Sequence, residues 1–159
     1  MSSILETSSQ RWPDEAACAA SAAALARHPG LRQAFIELHG PLGAGKTTFV
    51  RHLLHALGVE GRVKSPTYAL MESYEVARDG AVLPIWHFDF YRFDDPQEWE
   101  DAGFRDVFGA TGLKLVEWPE KAEDLLPESD LQVQIEPGAG DERLVTYSAH
   151  TPRGVALLS

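Results

Sequence analysis

The residues with the clearest chemical potential lie between Gly40 and Thr47, where the sequence reads GPLGAGKT. This segment fits the phosphate-binding loop pattern G-x-x-x-x-G-K-[ST] at every fixed position. The glycines let successive backbone N–H groups face one anion, Lys46 supplies a cation for the β- and γ-phosphates, and Thr47 offers a hydroxyl to Mg²⁺. The pattern predicts a nucleoside triphosphate site. The residues expected to contact the nucleotide here are Gly40, Leu42, Gly43, Ala44, Gly45, Lys46, Thr47 and Thr48.

The segments on either side of this loop have the structure that the motif requires. Residues 34–38 (AFIEL) are typical of a short, mostly buried strand. Residues 48–57 carry apolar side chains at helical spacing, and Gly58 follows them as a stop signal, so we expect a helix near residues 46–57. A strand, a glycine-rich loop and a helix in this order favour a phosphate site over an ordinary turn.

Two carboxylates at strand ends could complete the site. Asp89 closes the apolar run that starts at Ile85, and Glu117 closes the run that starts at Leu113. A triphosphate site needs a carboxylate to hold or orient Mg²⁺ and water, and parallel strands end on the same side of a sheet. Thr67, in the loop Ser65-Pro66-Thr67, could sense the γ-phosphate as mobile loops do in nucleotide switches.

The composition and the net charge of the chain limit the kinds of partner that it is expected to bind. The 159 residues carry a net charge of −10, with only 14 lysines and arginines scattered along the chain. Because phosphate neutralisation supplies most of the affinity of nucleic-acid binders, we expect no direct binding to DNA or RNA. No apolar run approaches a membrane span, and Cys18 stands alone. A cytoplasmic location fits these features.

The order of the remaining elements predicts an α/β fold. We expect one domain over residues 1–159, in which residues 1–11 are loosely held and a helix opened by Pro13 runs to Ala26. The Arg78-Asp79-Gly80 turn predicts a hairpin, and residues 131–135 and 144–148 alternate as a second hairpin. Asp95-Pro96 predicts a helix start, and Pro119 a short helix to Leu126. The prediction is a P-loop NTPase-like mixed sheet, with a parallel centre and antiparallel hairpins, flanked by helices.

Four motifs, taken together, carry a family resemblance. In chain order they are GPLGAGKT at 40–47, KSPTY at 64–68, HFDFYR at 87–92 and VEWPE at 116–120. In this order and at this chain length the sequence resembles the bacterial TsaE family, also called YjeE, over about residues 12–150. That family is the small ATPase of tRNA threonylcarbamoyladenosine synthesis.

The resemblance implies an activity and partners. It implies an ATP- and Mg²⁺-dependent ATPase that works with the TsaB and TsaD proteins, which modify adenosine 37 of tRNA. The chain would not carry out that transfer, and would meet tRNA only indirectly, through the complex. Its ATP binding and hydrolysis would reset or drive that complex between cycles.

The resemblance also implies roles for individual residues. Thr47 and Glu117 would be the Mg²⁺ ligands, and Asp89 the acid required for hydrolysis. Thr67 would lie in a switch loop that acts with Lys46 in catalysis. Glu15 would lie near the nucleotide base.

Three other classes remain open at this stage. A small-molecule kinase uses the same loop but needs several arginines and a lid, and only Arg92 and Arg105 lie nearby in the sequence. A GTPase usually carries N-K-x-D, yet the sequence has no asparagine, and the D-x-x-G match at Asp106–Gly109 lies in a helical stretch. The third class is a binding module that uses ATP only as a structural clamp.

Overall fold

The seven-stranded sheet that spans the molecule sets the position of every site residue. The structure is a computed structural model that describes residues 3–66 and 68–159. The strands are β1 Glu6–Trp12, β2 Phe35–His39, β3 Met71–Arg78, β4 Ala81–Asp89, β5 Leu113–Glu117, β6 Leu131–Pro137 and β7 Arg143–Ala149. The α-helices of the described residues are α1 Glu15–Ala26, α2 Lys46–Leu57, α3 Pro96–Ala102, α4 Phe104–Gly109 and α5 Pro152–Leu157.

The sheet is parallel at its centre and antiparallel at both sides. Its strand order is β1-β7-β6-β2-β5-β4-β3. β2 pairs in parallel with β5 and β6, and β5 pairs in parallel with β4. The hairpins β3–β4 and β6–β7 and the edge strand β1 are antiparallel. The predicted mixed sheet with a parallel centre is therefore confirmed.

Helices cover both faces of this sheet, and each face has its own core. Residues of α1 and α2 pack against one face, where Ile36, Leu38 and Leu115 are fully buried. α3 and α4 pack against the other face, where aromatic rings dominate and Phe88 is fully buried. Adjacent residues of one strand, such as Phe35 and Ile36, therefore belong to different cores, as the alternation of a buried strand requires.

Helix α2 follows directly from the loop at the end of β2. It begins at Lys46 after Gly45, whose φ of +107° places it in the left-handed region. Its buried face repeats at helical spacing through Phe49, Val50 and Leu53, and Gly58 closes it with a left-handed cap. The predicted helix over residues 46–57 has the same bounds in the structure.

The expectation that residues 1–11 are loosely held is wrong for the part that forms β1. Glu6–Trp12 pairs along its whole length with β7, from Glu6 opposite Ala149 to Trp12 opposite Arg143. The side chains of this edge strand are mostly polar and exposed, so no apolar alternation marks it in the sequence. Trp12 anchors its end by stacking on Phe49, with ring centroids 5.5 Å apart.

Two local expectations also change, and one helix had no counterpart among the predictions. Helix α1 begins at Glu15 rather than at Pro13, because the Asp14 side chain caps it by accepting a hydrogen bond from the Ala17 N–H at 3.0 Å. The segment after Pro119 is a 3₁₀ helix that ends at Ala122 instead of a helix to Leu126. The terminal helix α5, capped by Thr151, was not predicted. Across residues 3–66 and 68–159, no helix is long and apolar enough to cross a bilayer.

Candidate nucleotide-binding site

The glycines of the loop between β2 and α2 have the backbone geometry that the motif implies. A Cβ on Gly40 would lie 2.3 Å from the Ile135 carbonyl oxygen of the neighbouring strand β6, and its φ is +148°. Only glycine fits a position that combines this φ with such a close backbone approach. The loop is therefore held against the sheet at its first residue, while Leu42 and Gly43 remain exposed at its tip.

Lys46 is buried and held by two neighbours. Its Nζ donates a hydrogen bond to the Gly40 carbonyl at 2.6 Å and lies 3.4 Å from the centroid of the Trp118 ring. Burial lowers the pKa of the Lys46 ammonium, while the carboxylates of Glu117, Glu120 and Asp89 oppose that shift. Because Lys46 lines the cleft, its buried charge would gain a partner when an anion binds there.

The parallel pairing of β4 and β5 brings the two predicted carboxylates together. Asp89 and Glu117 are paired residues at the carboxyl ends of these strands, with exposures of 4% and 2%. The Thr47 hydroxyl lies 2.8 Å from one carboxylate oxygen of Glu117 and 3.0 Å from the other. Asp89 accepts a hydrogen bond from the Tyr91 N–H at 2.9 Å. Two buried carboxylates and a hydroxyl thus meet at one edge of the sheet.

His87 lies beneath this pair. It is fully buried, and its Nε2 is 2.6 Å from Oε2 of Glu117. Residues two apart on a strand share a face, so His87 and Asp89 point to the same side of β4. The sequence placed His87 on the strand but gave no sign of this contact with Glu117.

A cleft of about 400 Å³ opens over these groups. The cleft is lined by residues of the loop, of the ends of β4 and β5, and of the segment after α2. Its lining residues are Leu42, Gly43, Ala44, Gly45, Lys46, Thr47, Thr48, Ser65, Asp89, Tyr91, Arg92, Glu117 and Trp118.

The remaining candidates fall in different places. Thr67 lies outside the described residues, between Pro66 and Tyr68. Arg92 lines the cleft, with its guanidinium carbon 4.7 Å from the centroid of the Tyr68 ring. Arg105 lies elsewhere, paired with Glu100 at 3.2 Å beside a groove on the other face. The two arginines are therefore not brought together at the cleft.

A second pocket, of about 300 Å³, continues from the same loop. It shares Ala44, Gly45 and Thr48 with the cleft and extends to Glu15 in the first turn of α1. The carboxylate of Glu15 lies 3.0 Å from Nε2 of His52. The other residues that line this pocket are Trp12, Asp14, Cys18, Asp141 and Arg143.

Two residues at the site were not predicted from the sequence as functional. Arg143 on β7 donates from Nε to the Ala44 carbonyl at 2.9 Å, which ties the loop to the C-terminal hairpin. Trp118 lines the cleft, and its ring packs against Lys46. Its φ of +57° is a strained conformation for a non-glycine residue, and such strain is typical of functional sites. The motif VEWPE includes Trp118, but the place of the Trp118 ring in the cleft depends on this backbone angle, which the motif does not reveal.

The chemistry of the donor set suits a magnesium ion. Mg²⁺ binds oxygen ligands and is usually held by one or two carboxylates together with phosphate oxygens and water. Thr47 and Glu117 offer such oxygens in mutual contact, with Asp89 alongside in register. The arrangement can bind a polyphosphate and a hard cation side by side.

Comparisons with known proteins identify the family of the chain. The family described as "Threonylcarbamoyl adenosine biosynthesis protein TsaE" matches residues 12–145. The chain is 44% identical over 124 residues to the tRNA threonylcarbamoyladenosine biosynthesis protein TsaE of Haemophilus influenzae, which covers 78% of this chain and 75% of that protein. It is 39% identical over 137 residues to the Bacillus subtilis protein of the same name, with coverages of 86% and 81%.

A solved structure extends the likeness to the whole fold. The crystal structure of Bacillus subtilis YdiB superposes with a TM-score of 0.78 at 30% identity, covering 99% of this chain and 95% of that one. The match therefore includes the parallel centre and both antiparallel sides of the sheet. The chain belongs to the TsaE family, which takes part in the biosynthesis of threonylcarbamoyladenosine in tRNA.

Proposed function

We propose that this chain binds and hydrolyses ATP with Mg²⁺, as the ATPase subunit of the machinery that makes threonylcarbamoyladenosine in tRNA. The observation that carries the proposal is the meeting of Lys46, Thr47, Asp89 and Glu117 around one cleft at the carboxyl ends of parallel strands. Ligands of open α/β sheets bind at this edge, and family membership supplies the pathway.

The loop would bind the phosphates through its backbone and Lys46. Residues 42–48 line the cleft, and the N–H groups at the start of α2 add the positive end of that helix. Lys46 is held in place by Gly40 and Trp118. Its charge is buried beside the position that an anion would take, where the low dielectric strengthens their attraction.

Thr47 and Glu117 would hold the metal, and Asp89 would orient the attacking water. When bound, Mg²⁺ neutralises charge that develops on the phosphate oxygens. One such ion has about six coordination places, most of them filled by phosphate oxygens and water, so two direct carboxylate ligands exceed what the site needs. The contact between Thr47 and Glu117 favours Glu117 as the metal ligand. Asp89 lines the same cleft as the register partner of Glu117, and would act on water there.

The pocket beside Glu15 would receive the nucleoside. It begins where the cleft ends, at Ala44, Gly45 and Thr48, so phosphates in the cleft direct the ribose and base toward it. Glu15 supplies a hydrogen-bond acceptor at its rim, and Trp12 and Cys18 supply apolar surface. A base with an exocyclic amino group, such as adenine, suits an acceptor of this kind.

The chain would work as a subunit of a larger complex in the cytoplasm. The resemblance of its motifs to the TsaE family names TsaB and TsaD as the partners, with tRNA met only through them. A net charge of −10 supports indirect contact with tRNA, because a direct binder needs basic surface. One buried thiol, Cys18, fits a reducing compartment.

The test is an ATPase assay on the purified chain, alone and with TsaB, TsaD and tRNA. We expect slow turnover alone and faster turnover with the partners, because the cleft is open to water and needs a partner to close it. A high rate for the isolated chain, insensitive to the partners, would contradict the proposal. Formation of a phosphorylated metabolite would favour a small-molecule kinase instead.

A further inference from the structure

His87 does not line the cleft, but it contacts Glu117, which does. His87 lies on β4, fully buried, and is not among the residues that line the nucleotide cleft. Its Nε2 lies 2.6 Å from Oε2 of Glu117, which is a short hydrogen bond. Because a carboxylate only accepts hydrogen bonds, the ring donates through an N–H at Nε2.

The opposite side of the same ring makes no comparable contact. Within the described residues, Nδ1 of His87 has no hydrogen-bond partner although it is buried. A polar ring buried in a strand carries a desolvation cost that a leucine would avoid. The one side-chain hydrogen bond of this ring among the described residues is to Glu117. This indicates that the ring orients that carboxylate and is not there only to pack the core.

His87 and Thr47 share Oε2 of Glu117, and Thr47 also contacts Oε1. Oε2 receives the hydrogen bond from His87, and the Thr47 hydroxyl lies 2.8 Å from Oε1 and 3.0 Å from Oε2. Because His87 holds Oε2, the carboxylate of Glu117 cannot rotate freely, and Oε1 therefore stays directed toward Thr47. Partners of this kind fix the orientation of metal-ligating side chains in many metal sites.

We propose that His87 is a positioning residue that holds the Glu117 carboxylate in the orientation needed to bind Mg²⁺ beside ATP. The inference rests on the proposed Mg²⁺-ATP function. It predicts that loss of the Nε2 donor weakens the metal site while leaving the binding of metal-free ATP intact, because the phosphate contacts come from the loop and Lys46.

Calorimetric titration of ATP, in EDTA and in excess Mg²⁺, tests this with three variants. His87→Leu removes the donor, and should lower the Mg²⁺-dependent gain in ATP affinity roughly 10-fold or more without changing the Kd in EDTA. His87→Gln places an amide donor where Nε2 lies and should stay close to the wild type. His87→Asn is polar but shorter, and should behave like His87→Leu.

His55→Leu is the matched control, since His55 is exposed at the far end of α2 and its side chain, among the described residues, contacts the Gly61 carbonyl at 2.9 Å. It should behave as the wild type does. If His87→Leu does not fold, the Gln and Asn pair decides the outcome, because both keep a polar amide at the site.

A double-mutant cycle separates positioning from general packing. In a Glu117→Gln background, His87→Leu should cause little further loss of the Mg²⁺ effect, because the residue acts through that carboxylate. Additive losses, an unchanged Mg²⁺ effect in His87→Leu, or equal behaviour of the Gln and Asn variants would overturn the inference. A wild type with no Mg²⁺-dependent ATP binding would instead contradict the proposed function.

Discussion

The Thr47 hydroxyl lies 2.8 Å and 3.0 Å from the two carboxylate oxygens of Glu117, across 70 residues of sequence. This contact joins the first turn of α2 to the end of β5, and so links the phosphate loop to the central parallel strands. The same edge of the sheet carries Asp89, the register partner of Glu117. The contact gives Glu117 and Asp89 different surroundings, which leads to different expectations for the two carboxylates.

The variants Glu117→Ala and Asp89→Asn should separate metal binding from hydrolysis. Asp89→Asn keeps the shape and removes the charge, so we expect ATP binding to persist and most hydrolysis to be lost. Glu117→Ala removes the oxygens beside Thr47, so it should weaken both the Mg²⁺ dependence of binding and turnover. Titrations of ATP with and without Mg²⁺, together with single-turnover assays, measure both effects. An equal loss of Mg²⁺-dependent binding in both variants, or the reverse order, would refute this division of roles.

Lys46→Met should stabilise the nucleotide-free protein at neutral pH. Burial lowers the pKa of Lys46, so the folded state disfavours the charged form relative to the unfolded state. As pH rises through the folded pKa, the folded chain releases this proton before the unfolded chain does, and wild-type stability recovers. The advantage of the Met variant should therefore be largest near pH 7 and shrink toward pH 10. Urea unfolding of both proteins across this range measures the difference, and a Met variant that is less stable at pH 7 would contradict the expectation.

Much of the fold followed from patterns that are local in sequence. The bounds of α2 were predictable because a glycine ends it at Gly58 and apolar residues repeat along one face. β1 was not, because its polar side chains give no alternation and its position depends on pairing with β7 at the other end of the chain. An edge strand whose place is set mainly by pairing with a strand distant in sequence leaves little trace in composition.

The candidate site, like the fold, was predictable from the sequence only in part. The loop and both carboxylates were predictable, because a motif and two strand ends mark them. The partner of His87 was not, because the contact joins residues 30 apart through the register of β4 and β5. Arg143 comes from farther still, reaching the Ala44 carbonyl across 99 residues. Contacts set by tertiary pairing have no local sequence signal.

Cys18 should report on occupation of the pocket beside Glu15. Burial raises the pKa of its thiol to about 11, so little thiolate forms at pH 8 and alkylation should be slow in the folded protein. The residue lines the proposed nucleoside pocket, so saturating ADP should slow the reaction further. Iodoacetamide labelling followed by mass spectrometry measures both rates. Labelling that saturating ADP leaves unchanged would count against this place for the nucleoside.

Gly40→Ala should destabilise the protein and impair phosphate binding together. The new Cβ would lie 2.3 Å from the Ile135 carbonyl oxygen, which cannot move without shifting β6. Overpacking of this kind costs about 1–3 kcal/mol of unfolding free energy. Gly109→Ala is the matched control, since a Cβ there meets nothing within 4 Å and the residue closes α4. Urea unfolding should show a loss for Gly40→Ala alone, and equal stability of the two variants would contradict the close approach.

The most direct test of the account is calorimetric titration of Mg²⁺-ATP into the wild type and Lys46→Ala. Lys46 is the buried cation of the cleft, held between Gly40 and Trp118, and its removal leaves the rest of the loop in place. Circular dichroism of both proteins shows whether the fold persists. We expect saturable binding of Mg²⁺-ATP to the wild type and no measurable binding to a folded Lys46→Ala. Unchanged affinity in that variant would contradict the assignment of this cleft as the nucleotide site.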